Sequence, residues 1–345
     1  MRRSRVLVAM SGGVDSSVAA ALLLEQGHDV TGVTLKLWGG NSDSGCCSVS
    51  DVEDARRVAA QLGVPHYVFN FTDEFGAAVV EPYVDAYAAG TTPNPCVECN
   101  RSIKFGRLLE RADALGFDRI ATGHHARVGA ARDRDAWQLL RGADRAKDQS
   151  YVLYMLGQRE LARTLLPVGS LTKAEVRAYA ERLGLRTAMK PDSMDVCFIT
   201  RGGREQFLGA RVAVEPGVVV DTAGTVVGRH GGVTAFTVGQ RRGVGVAVGD
   251  RRYVIDVDAV TATVTIGTRA ELQRASLRVR DACFVDREPS ATEIVKAQFR
   301  AHGDAVDATF DGEVVHFVEA QPRVAPGQVV ALYAGDALLG GGIAC

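Results

Sequence analysis

Four apolar residues, Val6, Leu7, Val8 and Ala9, run into Met10-Ser11-Gly12-Gly13, and a helical pattern opens at once at Val14. A strand that passes into a helix through two glycines is the first unit of a parallel sheet covered by crossover helices. The same turn suits anion capture. Gly12 and Gly13 let the backbone come close, and free amides at the positive end of the helix dipole face a phosphate group. Ser11, Ser16 and Ser17 add hydroxyl donors, and Asp15 is placed to cap the helix or to help hold a magnesium ion. The Lys and the spacing of a Walker loop are absent. Alone, Ser-Gly-Gly reads as an ordinary glycine turn; its place after the first strand of an α/β pattern favours the phosphate.

The first half goes on in that pattern. Residues 30–37, 67–71 and 119–122 read as strands, and residues 14–26, 52–62, 105–115 and 172–183 as helices, the last opened by a Thr172/Glu175 capping box. The expectation is a doubly wound α/β parallel sheet, with ligands beyond the carboxyl ends of its strands. Past Phe207 the texture becomes rich in Val, Thr and Gly, with alternating segments at 253–258 and 261–266. A chain of 345 residues then divides into a first domain at 1–206, a small β-rich central module at 207–271 and a C-terminal β-barrel at 272–345. No apolar run approaches the roughly 20 residues of a membrane helix. Seven scattered cysteines form no disulfide framework, which points to reduced thiols and a cytoplasmic location. A net charge of −1 excludes a uniform positive field, leaving local basic clusters at 101–111, 141–147, 201–204, 241–242 and 251–252 for any nucleic-acid partner.

The thiols carry the second signal. Pro93 and Pro95 stiffen a loop bearing Cys96 and Cys99 ahead of a helix, where Arg101 and Lys104 would favour thiolate. Cys197 sits far along the chain in Val196-Cys197-Phe198-Ile199. Each alone reads first as a buried structural thiol, and Cys46 and Cys47 are taken so. A zinc site lacks a second Cys-x-x-Cys or a spaced His pair, with His124 and His125 as the remaining candidate ligands. His124 and His125 follow a strand end, where a neutral, hydrogen-bonded role competes evenly with a catalytic one.

Taken in order, SGGVDSS, TPNPCVECN followed by IKF, ATGHHAR, KDQSYVL and VCFI resemble the motifs of bacterial tRNA-specific 2-thiouridylases (MnmA type), within the PP-loop ATP pyrophosphatase superfamily. The likeness runs on to Pro326-Gly327-Gln328 and the glycines 340–342. It implies a PP-loop, adenine nucleotide alpha hydrolase-like first domain and ATP-dependent replacement of the C2 oxygen of a tRNA wobble uridine by sulfur, in Lys, Glu and Gln tRNAs. Cys99 would be the nucleophile and Cys197 the persulfide carrier. Ala9, Met10, Ser11, Gly12, Gly13, Val14, Asp15, Ser16, Leu35 and Gly123 would line the site of ATP and Mg2+. Asn94, Pro95, Cys96, Lys147, Asp148, Gln149, Gln298 and Phe299 would contact tRNA, and a cysteine desulfurase or sulfur carrier protein would donate the sulfur. The resemblance also leads to a segment around 190–200 that orders over the activated base. Two positions depart from the family: Cys96, where some members have Asp, and Gln298, where Arg is common. Cys96, Cys99 and Cys197 together also suit an iron–sulfur cluster. A PP-loop ligase or amidotransferase acting on a small molecule, and a nucleic-acid-binding protein with a relic loop, are the rival readings.

Overall fold

The computed structural model describes residues 3–38, 49–131, 133–192, 196–199, 203–213, 215–246, 251–301 and 303–345. Cys46, Cys47, Arg201 and positions 193–195 and 200 of the expected covering segment lie outside these residues.

The strand Arg5–Ala9 is central in a five-stranded parallel sheet. Asp29–Lys36 and then His66–Asn70 lie to one side, and Arg119–Ala121 and Thr164–Leu165 to the other. Because side chains alternate across a strand, Val6 and Val8 enter one core, with Val18, Val58 and Val176, while Leu7 enters another, with Val33, Ile103 and Ile120. Both faces are covered, which is why the strand is apolar throughout. The sheet order reverses between Arg5–Ala9 and Arg119–Ala121, so the loops leaving Ala9 and Ala121 border the crevice where such sheets bind ligands.

Beyond this domain, Gly217–Asp221, Val226–His230, Tyr253–Asp258 and Thr263–Gly267 form a four-stranded sheet around Val219, Val254 and Val264. Six later strands close into a barrel, since Ala337–Ala344 pairs both with Val329–Ala334 and with the first barrel strand, Gln273–Phe284. The expected α/β, central-module and barrel architecture is therefore present.

Two features depart from expectation. A hairpin of Ala126–Ala130 and Trp137–Arg141 leaves the first domain and joins the barrel sheet, with Leu139 opposite Leu338. The helix expected at 105–115 starts ten residues earlier: Asn94 caps it by accepting Cys96 N–H at 3.0 Å, Pro95 takes the first position, and a wide π-type stretch, Cys99–Arg107, leads into Leu108–Ala114. Proline suits a first helical position because that N–H needs no partner. Pro95 thus starts a helix rather than stiffening a loop, Pro93 stays in the segment before it, and Cys99 stands one turn inside the helix.

Candidate functional site

At the end of Arg5–Ala9, Gly13 in an extended conformation precedes the helix Val14–Glu25 and, having no side chain, caps none of its first amides. Asp15 is not the cap the sequence suggested. Its carboxylate accepts Lys173 Nζ at 2.8 and 2.7 Å and His125 Nε2–H at 3.1 Å. Burial pushes Asp15 up, but the bonds from His125 and Lys173 outweigh it and hold the group below the usual carboxylate range. With both oxygens held by cationic or N–H donors, Asp15 does not present a ready magnesium ligand.

Gly12 has φ +74°, and a Cβ there would overlap the Asp51 carbonyl, so the turn requires glycine. Lys190 Nζ staples this turn in place, donating to Gly12 O at 3.0 Å, Asp51 Oδ1 at 2.6 Å and Asp54 Oδ2 at 2.8 Å. Burial alone would lower Lys190; the two carboxylates overcome it and keep the ammonium charged. Gly123 packs against the loop from the neighbouring strand, where a Cβ would stand 2.6 Å from Ser16 N. Met10 and Val14 point into the core, so they offer the crevice only backbone, and Leu35 is likewise buried. Ser16 Oγ accepts Ser11 N–H at 3.2 Å and donates to Gly13 O, as does Ser17 Oγ at 2.8 Å; these two hydroxyls shape the turn. The Ser11 residue remains exposed.

His124 is buried, its Nδ1 2.7 Å from Thr122 Oγ1, and burial with the charge of Lys104 holds its pKa well below the ordinary histidine value. It is a neutral structural group, whereas His125 bonds the loop through Asp15.

Cys99 is buried in the core that Cys96 and Cys197 pack against. Phe198 anchors the Cys197 segment: it is 1% exposed, with ring centroids 5.7 Å from Phe75 and 5.3 Å from both Tyr83 and Phe207. The short helix Thr72–Phe75, which carries Phe75, packs in turn on the Cys99–Arg107 stretch. One aromatic cluster therefore links the backbone beside Cys197 to the turn that begins at Cys99. Among the described residues no three or more His, Cys, Asp and Glu side chains gather as a metal-binding set. The thiol trio so placed does not fit an iron–sulfur cluster, and no step is assigned to one.

The expected tRNA contacts separate into two groups. Asn94, Cys96 and Lys147 are partly exposed and Gln149 is exposed, its Oε1 accepting His125 N–H at 3.0 Å. Pro95, Asp148, Gln298 and Phe299 are buried. Asp148 pairs with Arg141 at 2.8 Å and accepts from Gly142 N and Ser150 N. Gln298 accepts from the same Arg141 at 2.7 Å and donates to Arg300 O, while Phe299 packs on Phe317. Asp148, Arg141 and Gln298 join the first domain to the barrel, Phe299 packs within the barrel, and all four of the buried positions turn their side chains inward rather than toward the surface expected to meet RNA. Arg141 also stacks 3.6 Å from the Tyr333 ring, which removes it from the expected basic surface. Arg241 and Arg242 are exposed.

Sequence reasoning missed Lys173, Arg177, Lys190 and Asp192, the charged groups around the glycine loop. Lys173 and Arg177 lie on a helix of mixed charge that reads as a solvated face, and Lys190 and Asp192 follow it outside any periodic element.

Family models match the chain in three segments: a tRNA methyl transferase HUP domain over residues 4–201, a tRNA methyl transferase PRC-barrel domain over 205–268 and an aminomethyltransferase beta-barrel domain over 274–344. A Roseiflexus sp. (strain RS-1) protein named tRNA-specific 2-thiouridylase MnmA is 49% identical, covering 98% of this chain and 98% of its own. The Pelotomaculum thermopropionicum protein of the same name is 43% identical, over 99% and 97%. Among solved structures, the U34-tRNA thiolase NcsA from Methanococcus maripaludis, with its 4Fe–4S cluster, aligns with 56% of this chain and 61% of its own at 18% identity and a TM-score of 0.38.

Proposed function

The chain belongs to the tRNA-specific 2-thiouridylases, enzymes that place sulfur at C2 of a tRNA uridine, and from this membership we propose how its residues carry out the transfer. Relatives that align along nearly their whole length favour this activity over a small-molecule ligase or a relic loop.

The C2 oxygen of uridine is a poor leaving group, so it first attacks the α-phosphorus of ATP. Pyrophosphate departs into the 10–16 loop, whose open amides and helix dipole face the developing charge. A magnesium ion, when bound with the nucleotide, would neutralise phosphate charge, while Asp15 stays engaged with Lys173 and His125. Backbone from Ala9 to Ser16, with Gly123 and Leu35 alongside, surrounds the nucleotide.

The terminal sulfur of a Cys197 persulfide then attacks C2, and AMP leaves with the oxygen. Cys99 thiolate attacks the inner sulfur of Cys197, the S–S bond to the base breaks, and its electron pair stays on the sulfur of 2-thiouridine. The products are thiolated tRNA and a Cys99–Cys197 disulfide, which an external thiol must reduce before a cysteine desulfurase or sulfur carrier reloads Cys197. The burial of Cys99 in the core that also holds Phe75 and Phe198 supports this reading, because a buried site keeps water from the adenylated base. Asn94, Cys96, Lys147 and Gln149 are the positions from which the anticodon of Lys, Glu and Gln tRNAs is contacted, with the wobble uridine as target.

The carrying observation is the shared core of Cys99 and Cys197, almost a hundred residues apart in sequence. Mass spectrometry of tRNA nucleosides tests it, after incubation with ATP, magnesium and a sulfur source. Wild type yields 2-thiouridine and the Cys99→Ser and Cys197→Ser variants do not; thiolation retained by either variant removes that residue from its role.

A further inference from the structure

Three cations converge on one carboxylate beside the glycine loop. Asp192 takes Lys147 Nζ at 2.8 Å, Lys173 Nζ at 2.9 Å and Arg177 Nη2 at 2.8 Å. A lone surface carboxylate does not need three partners to stay charged, and exposed pairs contribute little to stability. The arrangement has the form of a phosphate site, in which several donors surround one compact anion.

Its position says which phosphate. Lys173 is 12% exposed and touches Asp192 with the same ammonium that holds Asp15, in the first turn of the helix behind the loop. Arg177, one turn further along the helix Lys173–Arg182, is held by Ala188 O at 2.6 Å and Lys190 O at 3.0 Å, and Lys190 staples Gly12. Lys173 and Arg177 are thus fixed beside the loop, while the half-exposed Lys147 reaches Asp192 from the surface.

We propose that Lys173 and Arg177 form a second phosphate-binding set for the ATP triphosphate, and that Asp192, which also holds the tRNA-facing Lys147, is an internal anion competing for it. Binding of the nucleotide exchanges the Asp192 carboxylate for phosphate oxygens and frees Asp192 to solvent. The inference rests on the reading of residues 10–16 as the triphosphate loop. Lys173 and Arg177 are then substrate-binding residues, and Asp192 a built-in brake on nucleotide affinity.

A double-mutant cycle on the full-length chain tests this, with calorimetric binding of ATP plus magnesium, of adenosine and of tRNA to wild type, Asp192→Asn, Arg177→Gln and the double variant. Asp192→Asn binds ATP about fivefold or more tightly than wild type, the scale of a modest coupling between sites, while adenosine binding is unchanged. In the Arg177→Gln background that gain shrinks, because the competitor and its site are coupled. An unchanged ATP affinity in Asp192→Asn overturns the proposal, and so does an equal gain in both backgrounds, which marks only a long-range field. A gain for tRNA without one for ATP assigns the cations to the RNA backbone and also overturns it. Asp192→Ser supplies the same readout should the Asn variant unfold. Failure of the wild type to bind ATP strikes instead at the reading of the loop itself.

Discussion

Replacing Gly123 by Ala perturbs the nucleotide loop without touching a charge. An ideal Cβ at this position lies 2.6 Å from Ser16 N and 2.8 Å from Asp15 C, whereas ordinary van der Waals contact begins at 3.4 Å. The deficit is 3.4 minus 2.6, or about 0.8 Å, and both neighbours are backbone, so the loop and the start of Val14–Glu25 must move as a unit. A misplacement of about 1 Å costs reacting groups on the order of a hundredfold in rate. Gly123→Ala should therefore weaken ATP binding and lower thiolation by about that factor, with an overpacking cost of about 1–3 kcal/mol in thermal unfolding. Gly76→Ala is the matched control: a helical glycine with nothing within 4 Å of its Cβ, it should leave ATP affinity unchanged. Calorimetric titration with ATP and single-turnover thiolation measure the effect. Wild-type ATP affinity in a folded Gly123→Ala protein would refute the claim that this glycine sets the loop geometry.

Phe198→Ala removes the ring that docks the Cys197 segment among Phe75, Tyr83 and Phe207; the loss is about 3–5 kcal/mol of local packing. Thiolation should collapse while ATP affinity stays near wild type, and an unchanged thiolation rate contradicts the anchoring role. Asp148→Ala strands the Arg141 guanidinium between the first domain and the barrel, and breaking a buried pair by one partner costs about 3–5 kcal/mol. A lowered unfolding midpoint with tRNA affinity intact in the folded protein is expected; lost tRNA affinity without destabilisation would restore Asp148 as a direct contact. Below the ordinary histidine pKa of 6.5 the unfolded chain takes up a proton that buried His124 refuses, so stability falls as pH drops from that value toward the folded pKa. His66 is lowered too, by burial and Arg56, and adds to the slope. Denaturant titrations at about pH 7.5 and 5.5 should differ less for His124→Gln than for wild type, and equal differences would show that His124 carries none of the effect.

The glycine loop was legible because its own strand, two glycines and helix stand within one stretch, whereas the remote groups that brace it, Lys190 and Asp51, carry no such signal. The Thr172/Glu175 capping box was equally local and forms as read, Glu175 accepting Thr172 N–H at 2.7 Å. The failures share a cause. Trp137–Arg141 is only five residues long and finds its sheet partner, Leu338, about two hundred residues later, so no local pattern distinguishes it from a loop. Lys190 and Asp192 take their meaning from Gly12, Lys147 and Lys173, which are remote in sequence. At Gln298 and Phe299, likeness to a family pattern outweighed the burial of the strand Val295–Gln298, whose Val295, Ala297 and Gln298 are all buried. Asn94 and Pro95 were noticed, but as parts of a loop; Asn before Pro at a helix start is the signal that would have moved the helix to its true beginning.

The central claim is that Cys99 and Cys197 meet over one activated uridine. Peptide mapping after a single turnover, with persulfide-loaded enzyme, ATP, magnesium and tRNA and no reducing agent, tests it most directly. The account predicts one disulfide-linked peptide pair joining Cys99 to Cys197 for each 2-thiouridine formed. Thiolated tRNA accompanied by two reduced thiols, or by a disulfide through Cys96 instead, would contradict it.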